Sequence, residues 1–422
     1  MASPLSAHRR VLAAAMLGTA VEFYDFYVYA TAAALVFGPL FFPVESASAQ
    51  LLLSLMSFGL AFIARPVGAI AFGHFGDRLG RKSTLVASLL LMGLSTLLIA
   101  FLPTYAQIGW VAPLLLCILR FGQGFGLGGE WGGATLLAVE NAPKGWEGRF
   151  GAAPQLGAPV GFLAANGLFL LLGLWLSEEA FTSWGWRIPF LLSAVLVSIG
   201  LWVRLRIGET PAFREALEKA PPPKVPLGRV LRHHWGATLA AGAGVVACFA
   251  IFYLSTAFAL GHLTSARGME RDAVLGLQLA ANLFLALGIV LAAVLSDRRT
   301  AGLVLAWGAG ATILLGLVFG PALAAGSPAL VFVTLAVALL IMGFVYGPIG
   351  GWMPRLFPVT VRYTGMSIAF NGGGIVGGAV APIAAQMLSS AGGTSLVGLF
   401  LSVAGMVTLI GVIVARAAGA EE

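Results

Sequence analysis

Twelve apolar runs, each long enough to cross the hydrocarbon core of a bilayer, constrain this chain more than any other feature. A crossing takes about 20 apolar residues, and lipid offers no partner to an open backbone, so such runs fold as bundled α-helices. They centre on residues 11–37, 51–73, 84–102, 108–138, 150–176, 187–206, 236–262, 273–295, 301–320, 328–350, 364–390 and 395–415. Only 10% of the 422 residues are charged, against about 25% in a soluble domain, so the expected class is an all-α membrane protein. Small residues repeat four apart at Gly124/Gly128/Gly132, Gly157/Gly161 and Gly373/Gly377, the pattern of helices packed closely in lipid. The first run is too long and too acidic for a cleaved signal peptide, and further runs follow it.

The net charge of +7 is explained by topology, with no nucleic-acid partner. With the N-terminus in the cytoplasm, 19 of the 24 Lys and Arg residues fall on cytoplasmic segments. Arg187, Arg267 and Arg271 fall outside, and Arg65 and Arg120 lie within spans. This asymmetry follows the positive-inside rule, so both termini are expected in the cytoplasm.

The longest polar segment divides the chain near its middle. The expected units are a six-helix bundle over residues 1–206, a cytoplasmic central loop over 207–235 and a second six-helix bundle over 236–422. The second half echoes the first: FYDFY at 23–27 with FAIFY at 249–253, GDR at 76–78 with SDR at 296–298, and ENAP at 140–143 with RLFP at 355–358. The offsets of 226, 220 and 215 are close to half the length, which argues for duplication. Two pseudo-symmetric halves of this kind hold a substrate site between them, near the middle of the membrane.

The loop GHFGDRLGRK, Gly73 to Lys82, has the form G-x-x-x-D-R-x-G-R-K. Gly73 admits a neighbouring helix, Asp77 can meet a basic residue or a helix N-terminus, and Arg81 and Lys82 suit the inner headgroup level. The loop resembles the signature of the major facilitator superfamily. Further stretches narrow the resemblance: VEFYDF at 21–26, RPVG at 65–68, LRFGQGFGLGGEWGG at 119–133, WGWRIPF at 184–190, ETPAF at 209–213 and FPVTVRYTG at 357–365. Together they resemble the metabolite:proton symporter family over nearly the whole chain. That family includes carriers similar to α-ketoglutarate permease and to the shikimate, citrate and proline/betaine transporters. The resemblance implies the major facilitator fold and a proton-driven importer of a small metabolite in a bacterial inner membrane, acting as a monomer without a cofactor. It also implies a cytoplasmic gate at Gly73, Asp77, Arg78, Gly80, Arg81, Lys82 and Glu140.

The residues carry the reading further. Glu22, Asp25 and Tyr29 share one helical face, and Arg120, Gln123 and Glu130 fall within a sector of about 80° on the fourth span. With Arg65, these five charged residues are the ones expected deep in spans, and all belong to the first half. The echo sets Ile251 against Asp25. A carboxylate in a cavity of changing hydration can load and release a proton as access alternates. Asp25, Glu22 and Glu130 are therefore candidates for proton coupling, with Arg120 or Arg65 as electrostatic partner or substrate clamp. A static buried ion network is the other reading of the same charges. Gln278 and Asn282 share a face of the eighth span, and Ser367 and Asn371 a face of the eleventh. With Tyr253 and Tyr346 they can contact substrate from the second half, opposite Gln123 and Tyr29, or they can bond helix to helix.

No nucleophile, base and orienting group recur, and neither Cys117 with Cys248 nor the five histidines has metal-ligand spacing, so neither an enzyme nor a metal site is expected. A dinucleotide-like Gly124-x-Gly126-x-x-Gly129 lies within a span and lacks the strand that motif needs. Two departures from the family pattern stand in the second half. LSDRRTAG keeps Asp297 and Arg298 without the Gly-Arg part, with Ala293 in place of the leading Gly, and Arg355 replaces an acid. The two changes belong together, because an acid without its basic partner would be left unpaired. The chain lacks the helical extension of the family's osmosensing members, which sets the expectation against an osmotic switch. The function expected is proton symport of a small organic anion, a mono- or dicarboxylate, because embedded Arg matches carboxylate geometry. A zwitterionic osmolyte or amino acid, such as betaine or proline, is the second reading.

Overall fold

The computed structural model of the chain describes residues 8–79, 81–128, 130–206, 226–358 and 361–417. Among them, every regular element is helical. Twelve main stretches follow one another: α1 (Ala15–Phe41), α2 (Ala47–Phe72), α3 (Arg81–Ile99), α4 (Val111–Glu140), α5 (Glu147–Trp175), α6 (Gly185–Trp202), α7 (Trp235–Ser265), α8 (Arg271–Arg298), α9 (Ala301–Ala324), α10 (Pro328–Leu356), α11 (Arg362–Gly392) and α12 (Thr394–Ala417). Eleven of these are long and apolar enough to cross a membrane, and α3, whose apolar part Val86–Ile99 is shorter, takes the remaining place. Leu174, Leu239 and Leu314 stand exposed on the outside of the bundle. An apolar exterior of this kind belongs against lipid, and the molecule is a multi-pass membrane protein.

The two halves repeat one plan. In the first, α1 packs on α5, α2 on α4 and α3 on α6; in the second, α7 packs on α11, α8 on α10 and α9 on α12. Glycine makes close contacts in both halves. A Cβ on Gly124 would stand 2.3 Å from the Ala61 carbonyl oxygen, and one on Gly128 2.1 Å from that of Arg65. In α11, a Cβ on Gly373 would stand 2.2 Å from the Gly242 carbonyl oxygen, and one on Gly377 2.3 Å from that of Val246. No larger residue fits such backbone-to-backbone contacts, which replace the hydrophobic drive that lipid removes.

Each half also interrupts its first span with one π-helical turn, Ala33–Phe37 in α1 and Leu254–Phe258 in α7. A widened turn leaves carbonyls poorly matched. A side chain from the next span meets them in each case: Ser54 Oγ donates to the Ala33 carbonyl at 2.6 Å, and Gln278 Nε2 to those of Ser255 and Thr256 at 3.0 and 2.9 Å. The halves meet where α5 packs on α8 and α10, and where α2 and α4 pack on α11.

Candidate functional site

Asp25 is fully buried and points toward α3 and α6, inside the first half. Its Oδ1 accepts from Ser193 Oγ at 2.5 Å and its Oδ2 from Thr96 Oγ1 at 3.2 Å. The single proton of the Thr96 hydroxyl has a second acceptor, the Met92 carbonyl at 2.9 Å. Gln123 Nε2 donates to Thr96 Oγ1 at 2.7 Å and to the Asp25 carbonyl at 3.2 Å, while its Oε1 accepts from Arg120 Nη1 at 2.5 Å. The expected partnership of Asp25 with an Arg is thus indirect. Gln123, one turn along α4 from Arg120, takes the guanidinium and passes the connection to Thr96.

Both buried guanidiniums sit among rings. Arg120 Cζ lies 4.1 Å from the Phe26 centroid, 4.1 Å from Tyr29 and 4.8 Å from Phe58, and its Nε donates to the Phe58 carbonyl at 3.3 Å. Arg65 Cζ lies 4.2 Å from the Phe26 centroid and 4.8 Å from Phe62. A desolvated cation over a ring is stabilised by about 2 kcal/mol. Rings satisfy no hydrogen-bond geometry, however, and Arg120 Nη2 and Arg65 Nε remain buried without an acceptor among the described residues. Such donors are rare in folded proteins and need an explanation. Two of them, on planar cations that share the Phe26 ring, suit an anion.

The other candidates in the first half take separate places. Tyr29 Oη is 2.8 Å from Ser57 Oγ. Glu130 is buried and accepts from Ser88 Oγ at 2.5 Å, between α3 and α4. Glu22 is buried and borders, with Arg65, a cavity between the halves of about 30 Å³, room for about two waters. Trp131 from α4 and Ser367, Phe370 and Asn371 from α11 complete its walls. This cavity is well below the size of a metabolite.

In the second half the amides of the candidates bond to backbone, while Ser367 and Asn371 also line the cavity. Gln278 supports the π turn of α7; Asn282 Nδ2 donates across the halves to the Pro159 carbonyl at 2.9 Å; Asn371 Nδ2 donates to the carbonyls of Gly128 and Ser367 at 3.0 and 2.8 Å. Tyr253 presents its ring to Phe58 and Phe62, at 5.1 and 5.5 Å between centroids. Tyr346 is buried, and its main-chain carbonyl accepts from Gln155 Nε2 at 3.1 Å.

Both faces of the bundle are tied. On the face where α1 begins, Asp297 accepts from the Gly148 amide at 2.7 Å and lies 3.3 Å from Arg149 Nε. Also toward this face, the rings of Trp131 and Phe370 stack at 3.7 Å and 5°, with Trp131 Nε1 donating to Gln155 Oε1 at 3.2 Å. On the opposite face, Ser48 of α2 meets Ser390 of α11 at 3.1 Å and accepts from Gln386 Nε2 at 3.0 Å, and Arg271 pairs with Glu178 at 3.0 Å. Of the predicted gate, Glu140 is exposed. Gly80 lies outside the described residues, as do the side chains at Gly73, Asp77, Arg78, Arg81 and Lys82. The clasp that the structure does describe uses Asp297, a remnant of the same motif in the second half.

Sequence reasoning missed Thr96, Ser193, Gln155 and the Trp131–Phe370 stack. Single hydroxyls in apolar helices carry no mark of their partners, and a Trp and a Phe 239 positions apart give no sign that they stack.

A family model described as "Sugar (and other) transporter" matches residues 11–220. The chain is 46% identical to the inner membrane metabolite transport protein YhjE of Escherichia coli over 416 residues, 97% of this chain and 94% of that protein. It is 38% identical to the shikimate transporter of E. coli over 387 residues, 91% and 88% of the two chains. Identity to the E. coli proline/betaine transporter is 30% over 411 residues, 95% and 82%. The fold matches the partially occluded, inward-open xylose transporter XylE from E. coli, with a TM-score of 0.72 at 15% identity over 95% of each chain.

Proposed function

Because the chain belongs to the major facilitator superfamily, in its metabolite:proton symporter family, we propose that it couples inward proton flow to uptake of a small organic anion. The membrane is the bacterial inner membrane, with both termini in the cytoplasm, as the distribution of Lys and Arg supports. The units that rock against each other are residues 1–206 and 236–422, joined by 207–235. The observation that carries the reading is a continuous path from a buried acid to a buried cation with a donor to spare: Asp25, Thr96, Gln123, Arg120.

The path gives a physical account of coupling. With Asp25 ionised, the hydroxyls of Ser193 and Thr96 both turn toward it. Once Asp25 is protonated, the Thr96 proton turns to the Met92 carbonyl and Gln123 is released from its role in steadying the acid. Arg120, held through Gln123, is then freer to meet the substrate carboxylate. Proton and anion load together, because a guanidinium facing an ionised acid through two short links attracts a second anion less. Alternating release of the ties at the two faces then carries both across.

The test is uptake into proteoliposomes. Asp25→Asn is expected to abolish accumulation driven by a pH gradient while preserving part of the substrate exchange at equilibrium. Uphill uptake by this variant would remove Asp25 from coupling.

A further inference from the structure

We propose that the proton leaves Asp25 for the cytoplasm through the core of the first half, by way of Glu130, on a route that the substrate does not share. The inference rests on the reading of Asp25 as the coupling acid. Glu22 and Arg65 border the cavity between the halves, and Asp25 is not among its walls. The Asp25 carboxylate faces α3 and α6 instead, where Thr96 and Ser193 donate to it.

Four helices surround this spot, and each repeats one pattern. Helices α1, α3, α4 and α6 bring Asp25, Thr96, Gln123 and Ser193 to a single polar layer. Four positions away, toward the face where α1 begins, the same helices carry Val21, Met92, Leu127 and Val197. Four positions make about one helical turn, so each apolar side chain lies on the face of its helix that carries the polar one. These four pack together, with Leu89 and Leu201, as an apolar cluster separate from the main core. Helix α6 comes so close to α3 here that a Cβ on Gly93 would stand 2.6 Å from Val197 Cγ1. One turn further along α3 and α4 the polar residues return, where Ser88 Oγ donates to Glu130 at 2.5 Å.

An apolar plug thus stands between two buried acids. Thr96 and Ser88, the hydroxyls that serve them, are two turns apart on α3, about 12 Å and beyond the reach of any hydrogen bond. A proton crosses such a gap along water, and a narrow apolar constriction excludes water until it widens. While the plug holds, a proton on Asp25 stays there. When α3, α4 and α6 shift as the halves rock, water enters and the Asp25 carboxyl gives it a proton. Another proton from the same chain of water joins the Glu130 carboxylate. Asp25 is left ionised, Glu130 is left protonated and the water is unchanged. Glu130 then releases its proton to the cytoplasm, while the substrate leaves by the cavity.

The experiment is proton leak without substrate. The protein is placed in vesicles that hold a trapped pH dye, under an imposed pH gradient, with the membrane potential clamped by potassium and valinomycin. Met92→Ser admits water to the plug and is expected to raise the leak about tenfold over the unaltered protein. Adding Glu130→Gln is expected to return it to within about twofold, because the amide cannot take the proton on. Leu285→Ser, a similar change at a fully buried position of α8, is expected to leak no more than the unaltered protein. Met92→Ser vesicles as tight as the parent's, a leak that Glu130→Gln does not lower, or an equal leak from Leu285→Ser each overturns the proposal. If Met92→Ser does not fold, Val197→Thr, which adds a hydroxyl to nearly the same shape, decides by the same readings. Uptake separates this inference from the one beneath it. Uphill uptake by Asp25→Asn beside a Glu130-dependent leak refutes the coupling role of Asp25 and keeps the plug. Loss of uphill uptake in Asp25→Asn without a Glu130-dependent leak refutes the route and keeps the coupling.

Discussion

The two halves of this transporter share a plan and divide the chemistry unequally. Every carboxylate and guanidinium buried in mid-span among the described residues belongs to the first half: Glu22, Asp25, Arg65, Arg120 and Glu130; Asp297, whose side chain is nearly closed off, sits at the very end of α8. The second half buries amides, hydroxyls and His262 in the corresponding region. At the position that answers Asp25 stands Ile251, fully buried. The difference shows how a duplicated fold can specialise. One copy keeps costly charges and the hydroxyls that steady them, and the other turns its polar groups to holding helices together, as Gln278 and Asn282 do.

Each prediction tests that division, beginning with the largest effect. Ile251→Asp places a carboxylate where nothing is arranged to receive it, and is expected to lower stability by about 3–5 kcal/mol in thermal unfolding. A variant as stable as the parent would show that the second half can host an acid after all. Arg120→Lys keeps the charge and loses the planar fork, so the apparent KM is expected to rise about tenfold or more with little change in melting temperature. Kinetics that do not move would take Arg120 out of the substrate site. Asn282→Ala removes a bond between α8 and α5, expected to weaken the fold by about 1 kcal/mol and to leave KM within about twofold. A KM effect larger than the stability effect would return Asn282 to the substrate wall. Arg355 stands exposed, so Arg355→Glu is expected to keep stability within about 0.5 kcal/mol and transport as it is. That outcome would remove the basis for linking the loss of this acid to the loss of the Gly-Arg part of LSDRRTAG, and a clear loss of stability would support the link.

Much of this fold is legible in the sequence because lipid leaves the backbone few choices. Apolar runs define the spans, and Gly124, Gly128, Gly373 and Gly377 mark where helices touch. The charged residues of the site are equally plain, since an ion in a span is conspicuous. Their partners are not. Thr96 can bond back to Met92 as any helical hydroxyl does, and only the tertiary arrangement turns it toward Asp25. Asn282 has the composition and spacing of a pocket residue, yet its amide meets a backbone carbonyl of the first half, and Asn371 does the same while also lining the cavity. Helical spacing says which residues share a face, not what that face meets.

Helix α8 is fastened at each end by an Arg and an acid, to α5 through Arg149 and Asp297 and to the segment just after α5 through Arg271 and Glu178, with unlike exposure. Asp297 keeps 4% of its side-chain surface open, whereas Glu178 keeps 75%. Dissolved ions reach the second fastening and scarcely reach the first, so salt acts on this helix mainly from one end. Ionic strength would thereby change the ease with which one mouth of the carrier loosens more than it changes the other.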